Sequence, residues 1–260
     1  MQMKRFVTML LCLLIMVCGG LSVYTICTNT EAETGFLLRE DWSSMSCSLL
    51  LIVGSVTMAV FSRKTDDERG TAHSSKIQAV SLVPALFGIL LDTVALCLQP
   101  VQTEDMLQFV WWIAVIVLGF AAVLLMAMQA VLYAKASSLK LISALYLIPA
   151  LWFACRALMT YLNARMVITV PALLLEVVAL LLICGVWSGH ARMLGNVDAA
   201  RGSRLMRLML PAALLCGVVC VLPAAIAALL VGSAVSPVGT SHLMIAAQLP
   251  TLWLLYTERG

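Results

Sequence analysis

The sequence predicts an all-α fold, a polytopic bundle of about eight transmembrane helices joined by short loops. Of the 260 residues, 62% are hydrophobic and only 11% are charged. The basic residues also fall mainly in alternate gaps between long apolar runs. A soluble domain of this length could not bury so much apolar side chain, so lipid has to solvate the excess. We therefore expect one integral membrane domain over residues 1–260, with the lipid bilayer as its first partner.

The predicted helices follow the apolar runs, because a hydrocarbon core of about 30 Å needs roughly 20 apolar residues per helix. They span 6–27, 46–62, 77–98, 107–132, 141–161, 167–187, 208–232 and 241–256. The longest predicted loops are 28–45, 62–76 and 188–207. The first run also has the basic start of a signal peptide. We expect it to stay uncleaved, because its apolar stretch reaches about Cys27 without a clear cleavage site; cleavage would leave seven helices.

The distribution of positive charge predicts the orientation of the chain. Basic residues concentrate on the cytoplasmic side of membrane proteins, and an even number of helices puts 13 of the 16 lysines and arginines on one side. The other side keeps only Arg39 and Arg165, and Arg156 lies inside a helix. The 13 are Lys4, Arg5, Arg63, Lys64, Arg69, Lys76, Lys135, Lys140, Arg192, Arg201, Arg204, Arg207 and Arg259. Both termini are therefore expected in the cytoplasm.

The net charge of +3 is spread over these short loops. It forms no single basic surface of the kind that nucleic acid requires. A nucleic-acid partner is therefore not expected.

Three ionisable residues lie well inside the predicted helices: Asp92, Arg156 and Glu176. An Asp or Arg at a helix centre costs about 2.5 to 3.5 kcal/mol on insertion scales, which favours partnering. Counted from the outer helix ends at about 1.5 Å per residue, Asp92 and Arg156 lie about 9 and 8 Å deep, and Glu176 about 14 Å. The sequence thus predicts a buried-charge cluster of these three residues.

One arginine cannot neutralise two carboxylates in a low-dielectric site. Our hypothesis is that Asp92 pairs with Arg156 while Glu176 is protonated near neutral pH. A purely structural interpretation competes with it and is favoured at this stage. In that interpretation Arg156 extends to the outer headgroups and Asp92 stays hydrated near the interface.

The seventh predicted helix carries small residues along one face. Cys216, Cys220, Ala224, Ala228 and Gly232 recur at every fourth position. Small side chains at this spacing let a neighbouring helix approach closely. The face is therefore predicted to pack against another helix, in this chain or in a partner.

The nine cysteines are predicted to be mainly small packing residues of the helices. Cys27, Cys47 and Cys97 are placed near the outer face, where Cys27 with Cys47 is the best candidate for a disulfide.

No motif for catalysis, metal binding or a cofactor is found, and none of these is predicted. His73, His190 and His242 lie in predicted loops or at helix ends, so we expect them to be solvated. Gln129 and Gln248 are lone intramembrane amides, which usually form hydrogen bonds between helices.

The segment Leu151-Trp152-Phe153-Ala154-Cys155-Arg156, followed by a helix with a central acid, is similar to uncharacterised multi-pass membrane proteins of low-GC Gram-positive bacteria. The resemblance covers helices five and six. It implies a bacterial plasma membrane and no particular activity.

Three functions remain open from the sequence. The first is a transporter of a small solute or ion that uses Asp92, Arg156 and Glu176, in which Glu176→Gln abolishes movement and leaves the fold intact. The second is a non-catalytic subunit or scaffold of an envelope complex, which uses the small-residue face to bind a membrane protein or a second copy. The third is an intramembrane lipid-handling enzyme, weakened by the lack of a nucleophile beside a base at helix depth.

Overall fold

The computed structural model of the protein describes residues 2–29, 42–63, 76–99, 106–135, 142–164, 171–230 and 240–258. These ranges contain eight α-helices and one 3-10 turn. The helices are α1 (Gln2–Asn29), α2 (Trp42–Arg63), α3 (Lys76–Leu98), α4 (Met106–Ala134), α5 (Ile148–Ala164), α6 (Pro171–Leu194), α7 (Ala199–Leu230) and α8 (Thr240–Glu258), with the 3-10 turn at Ser143–Leu147 before α5. The predicted all-α, eight-helix fold is confirmed.

Seven of these helices, α1 to α7, are long and apolar enough to cross a membrane. Such helices need about 20 predominantly apolar residues, and their number makes this a multi-pass membrane protein. The helix α8 does not reach the same apolar composition, because it carries Thr240, Ser241, His242, Gln248 and Thr251 among its 19 residues. Its polar side chains therefore need partners inside the protein.

The centre of the bundle is α7, which packs against α1, α2, α6 and α8. Within its apolar window 67% of the residues are buried, against 28% for α1 and for α4, so α1 and α4 present much more side chain to lipid. On the other flank α3 packs between α4 and α8, and α5 packs against α4 and α6. Among the described residues, most of the buried polar and charged side chains lie on α3, α4, α5, α6 and α8.

Both ends of the described chain lie at the same end of the bundle. The hydroxyl of Thr8, near the start of α1, is 3.2 Å from the hydroxyl of Tyr256, near the end of α8. We call this the amino-terminal end and the other the opposite end. Thr240, at the start of α8, lies at the opposite end.

The predicted loop at 188–207 is wrong, because α6 continues to Leu194 and α7 already begins at Ala199. The turn between them is short. Asp198 accepts a hydrogen bond at 3.2 Å from the backbone N–H of Arg201, which caps the start of α7. Helices extend beyond the apolar core into the polar interface. A hydropathy pattern therefore ends α6 too early and begins α7 too late.

The two helices of this hairpin approach each other at paired glycines. A Cβ atom added to Gly202 would lie 2.7 Å from the carbonyl oxygen of Gly189. No side chain fits between the backbones at that distance, so glycine is required at this crossing.

Candidate functional site

The structure brings Asp92 of α3 and Arg156 of α5 together as a buried ion pair. Arg156 Nε donates to Asp92 Oδ2 at 2.7 Å, and Arg156 Nη2 donates to Asp92 Oδ1 at 3.2 Å. Asp92 is 0% exposed and Arg156 is 8% exposed. Two parallel bonds of this kind fix the guanidinium plane against the carboxylate. In this structure Arg156 does not extend to the headgroups, which the structural interpretation required.

Two threonines complete the hydrogen bonding of the pair. Arg156 Nη1 donates at 3.0 Å to the hydroxyl of Thr160, one turn further along α5. Thr240 of α8 donates its hydroxyl proton to Asp92 Oδ1 at 2.8 Å. A buried ion pair is tolerated only when its remaining polar atoms are satisfied in this way. Sequence reasoning missed both threonines, and the only signal was that each lies near a helix end at a depth close to the pair.

Glu176 of α6 is buried near this pair and does not belong to it. It is 4% exposed, and within the described ranges its carboxyl makes no hydrogen bond or ion pair. It remains within electrostatic reach of Arg156 on α5 and of Cys220 on α7. The structure therefore places the three predicted charges in one half of the bundle, with the arginine engaged by only one of the two acids.

The small-residue face of α7 packs inside the chain. Cys216, Cys220 and Ala224 are buried, and the Cys216 thiol lies within hydrogen-bonding reach of Ser55 on α2. The side chain of Ala228 and all of Gly232 lie outside the described residues. At its described positions the face is therefore covered by helices of this chain.

The structure does not bring Cys27 and Cys47 together. All nine cysteines are free. The Cys47 thiol donates to the backbone carbonyl of Cys18 at 3.5 Å. Cys27 lies nine residues further along α1, about 14 Å away at the helical rise. Because α2 meets α1 in this register, Cys47 packs beside Cys18.

A second polar cluster lies at the amino-terminal end of the bundle, centred on His190 of α6. His190 is 6% exposed, so the expectation that it is solvated is wrong; the continuation of α6 past Trp187 turns it into the interior. Its Nε2 lies 3.1 Å from Nε2 of Gln129 on α4. Gln129 also donates to the hydroxyl of Tyr133 at 3.1 Å, and the His190 ring meets the Trp187 ring edge to face at 5.6 Å.

The second predicted amide, Gln248 of α8, connects three helices. Its Nε2 donates to the carbonyl oxygen of Ala85 on α3 at 3.0 Å, and its Oε1 accepts from Nε1 of Trp187 at 3.3 Å. Gln129 and Gln248 are thus confirmed as hydrogen-bond partners between helices. These hydrogen bonds satisfy both amides in the interior, where burial of an amide without a partner would cost free energy.

Fold and interior together define the class: an α-helical, multi-pass membrane protein with an ion pair buried among its helices. Comparison with known protein families, curated proteins and solved structures finds no match for this chain. The function is therefore argued from the site itself.

Proposed function

We propose that this protein is a membrane transporter that moves protons through Glu176, with the Asp92 and Arg156 pair as its partner site. The observation that carries the proposal is the burial of the Glu176 carboxyl with no hydrogen bond or ion pair among the described residues. An ionised carboxylate in such surroundings is costly, whereas a protonated one is tolerated. Intramembrane acids of this kind are typical of proton pathways.

The charge balance of the three groups supports two alternative states. With Arg156 bound to Asp92, neutrality requires the proton on Glu176. If Arg156 turned to Glu176, the proton would be needed on Asp92, and the total charge of the cluster would be unchanged. Exchange of one proton and one arginine contact therefore connects two states without leaving an unpaired charge in lipid.

Thr240 couples α8 to this exchange through its hydrogen bond to Asp92. It donates to Asp92 from α8, a helix of lower apolarity than the others. Protonation of Asp92 would weaken that charge-assisted bond, so the position of α8 is coupled to the state of the pair.

The membrane and orientation belong to the same proposal. In the topology predicted from the sequence, 13 of the 16 basic residues belong to one side, and the contact of Thr8 with Tyr256 places the start of α1 and the end of α8 together. Both observations support cytoplasmic termini. The similarity of residues 151–156 to Gram-positive membrane proteins supports a bacterial plasma membrane.

We expect the purified protein in liposomes to carry protons down an imposed potential. The probe is a trapped pH-sensitive dye, with a potassium gradient and valinomycin to set the potential. Glu176→Gln keeps the size of the side chain but cannot release a proton, so the rate should fall to that of protein-free liposomes. Asp198→Asn is the matched control, because it makes the same change in an exposed turn, and it should conduct like the wild type.

Folding is checked by the elution volume and the unfolding midpoint in detergent, which Glu176→Gln should leave near the wild-type values. Wild-type flux that survives in Glu176→Gln would contradict the assignment of the carrier residue. Wild-type liposomes no faster than protein-free ones would contradict proton transport.

A further inference from the structure

We propose that His190, Gln129 and Tyr133 form a second proton-binding site, at the amino-terminal end of the bundle. Its role as the other end of a proton route to Glu176 rests on the proposed transport. Its ability to bind a proton from water does not depend on that proposal.

The first argument is a small cleft beside His190. It is lined by side chains of α3, α4, α6 and α8 and has room for about one water molecule. The polar groups that line it are Gln78, Ser81, Tyr133, His190 and Thr251. A water there would find the several hydrogen-bond partners that a buried water needs, and it would place solvent protons within reach of the imidazole.

The second argument is the chemistry of the Gln129 contact. An amide nitrogen only donates, so His190 accepts at Nε2 in this arrangement and is the neutral form with its proton on Nδ1. When Nε2 takes up a proton it becomes a donor. Rotation of the Gln129 amide by half a turn then presents Oε1 as the acceptor. Gln129 can therefore satisfy either protonation state, which an apolar or purely donating neighbour could not.

The third argument is alignment along α6. Glu176 and His190 are 14 residues apart, about 21 Å along the helix and only about 40° apart around it. Between them on this face lie Leu180 and Ile183, both 0% exposed. The structure thus holds one titratable side chain at each end of one helix face, separated by an apolar layer that closes the route in this state.

Other titratable and charged groups lie at the same end of the bundle. The titratable group on α4 is Tyr133, and the one before α5 is Tyr146 of the 3-10 turn. Arg192 on α6 and Arg204 and Arg207 on α7 supply positive charge, while Asp198 is paired with Arg201 at 3.2 Å. On α3 and α8 the residues that line the cleft are uncharged. We therefore expect protonation of His190 to depend on the access of water to the cleft and on Gln129.

The test is nuclear magnetic resonance of the full-length protein in liposomes, with nitrogen-15 in its histidines. The His190 signal is assigned by its loss in His190→Gln. We expect His190 to change protonation state between about pH 5 and about pH 8, the range in which an imidazole reached by water titrates. In Gln129→Leu both forms of His190 lose the amide contact, but the charged form loses the stronger hydrogen bond, so the His190 midpoint should move to lower pH.

A His190 signal that stays in one protonation state across this range would overturn the proposal, because it would show a core histidine sealed by its neighbours. An unchanged His190 midpoint in Gln129→Leu would overturn the role given to the amide.

Proton flux separates this proposal from the one before it. If both are right, His190→Gln slows wild-type flux severalfold and Glu176→Gln removes it. If flux depends on Glu176 but His190→Gln conducts normally and His190 does not titrate, the site fails and transport stands. If His190 titrates but the wild type shows no flux, transport fails and the proton-binding site stands.

Discussion

Replacing Arg156 with methionine is expected to lower the free energy of unfolding by about 3 to 5 kcal/mol, the usual cost of breaking a buried ion pair from one side. The reason is Asp92, which is 0% exposed and would either keep its charge with no counter-charge, bound only by the Thr240 hydroxyl, or take up a proton. Asp92→Leu should cost no more than this, because the guanidinium keeps its hydrogen bond to Thr160 and has Glu176 within electrostatic reach. The measurement is unfolding in mild detergent by titration with dodecyl sulfate.

The double variant Asp92→Leu with Arg156→Met is the decisive member of this cycle. Removing both charges leaves no unpaired ion, so it should be far more stable than the sum of the single changes predicts, and close to the wild type or above it. Arg201→Ala serves as the control, since it breaks an exposed pair and should cost less than about 1 kcal/mol. A cost for Arg156→Met no larger than that of Arg201→Ala would mean that water reaches the pair.

The same double variant also bears on function. If the pair exists to support proton movement by Glu176, the double variant should be stable and inactive. A variant that is stable and still carries protons would limit Asp92 and Arg156 to a structural role. Stability and flux measured on one protein thus distinguish the two interpretations that the sequence left open.

The helices could be predicted from the sequence because lipid selects long apolar runs; seven such runs correspond to α1 to α7, and a shorter, less apolar one to α8. The ends of the helices could not be predicted in this way. Residues 188–194 and 199–207 are helical and polar, and hydropathy reports contact with lipid, not helicity. This single error also concealed His190, because a residue assigned to a loop is expected to be solvated.

The pairing of Asp92 with Arg156 could be anticipated because charges are rare in apolar helices and these two had matching depths. Thr160 and Thr240 could not, since hydroxyls are common in membrane helices and only the packing of α8 on α3 brings Thr240 to the pair. The meeting of Cys47 with Cys18 was likewise hidden, because the register between α1 and α2 cannot be read from cysteine spacing.

The packing of α8 on α3 depends on Gly88, and Gly88→Ala is expected to disrupt it. A Cβ atom at Gly88 would lie 2.5 Å from Cβ of Ala247 and 3.2 Å from the backbone of Met244. A backbone cannot rotate away as a side chain can, so the helices must separate. Overpacking of this kind costs about 1 to 3 kcal/mol, occasionally more.

The cost should lie at the upper end of that range, because α8 is held mainly by contacts that separation would break. They include Thr240 with Asp92, Gln248 with the carbonyl of Ala85, and Thr251 with the carbonyl of Ser81. Without these three hydrogen bonds the polar side chains of α8 would face an apolar environment, and burial of unpartnered polar groups costs free energy. We therefore expect Gly88→Ala to unfold at lower dodecyl sulfate and to lose proton flux together with the contact to Asp92.

Gly20→Ala is the matched control, since a Cβ atom there meets nothing within 4 Å. Alanine is the better helix former by about 0.8 to 1 kcal/mol, so this variant should be at least as stable as the wild type. If Gly88→Ala matched Gly20→Ala in stability, α3 and α8 would not be in close contact. The link from α8 to the buried pair would then be lost, and the proposed coupling of Thr240 to Asp92 with it.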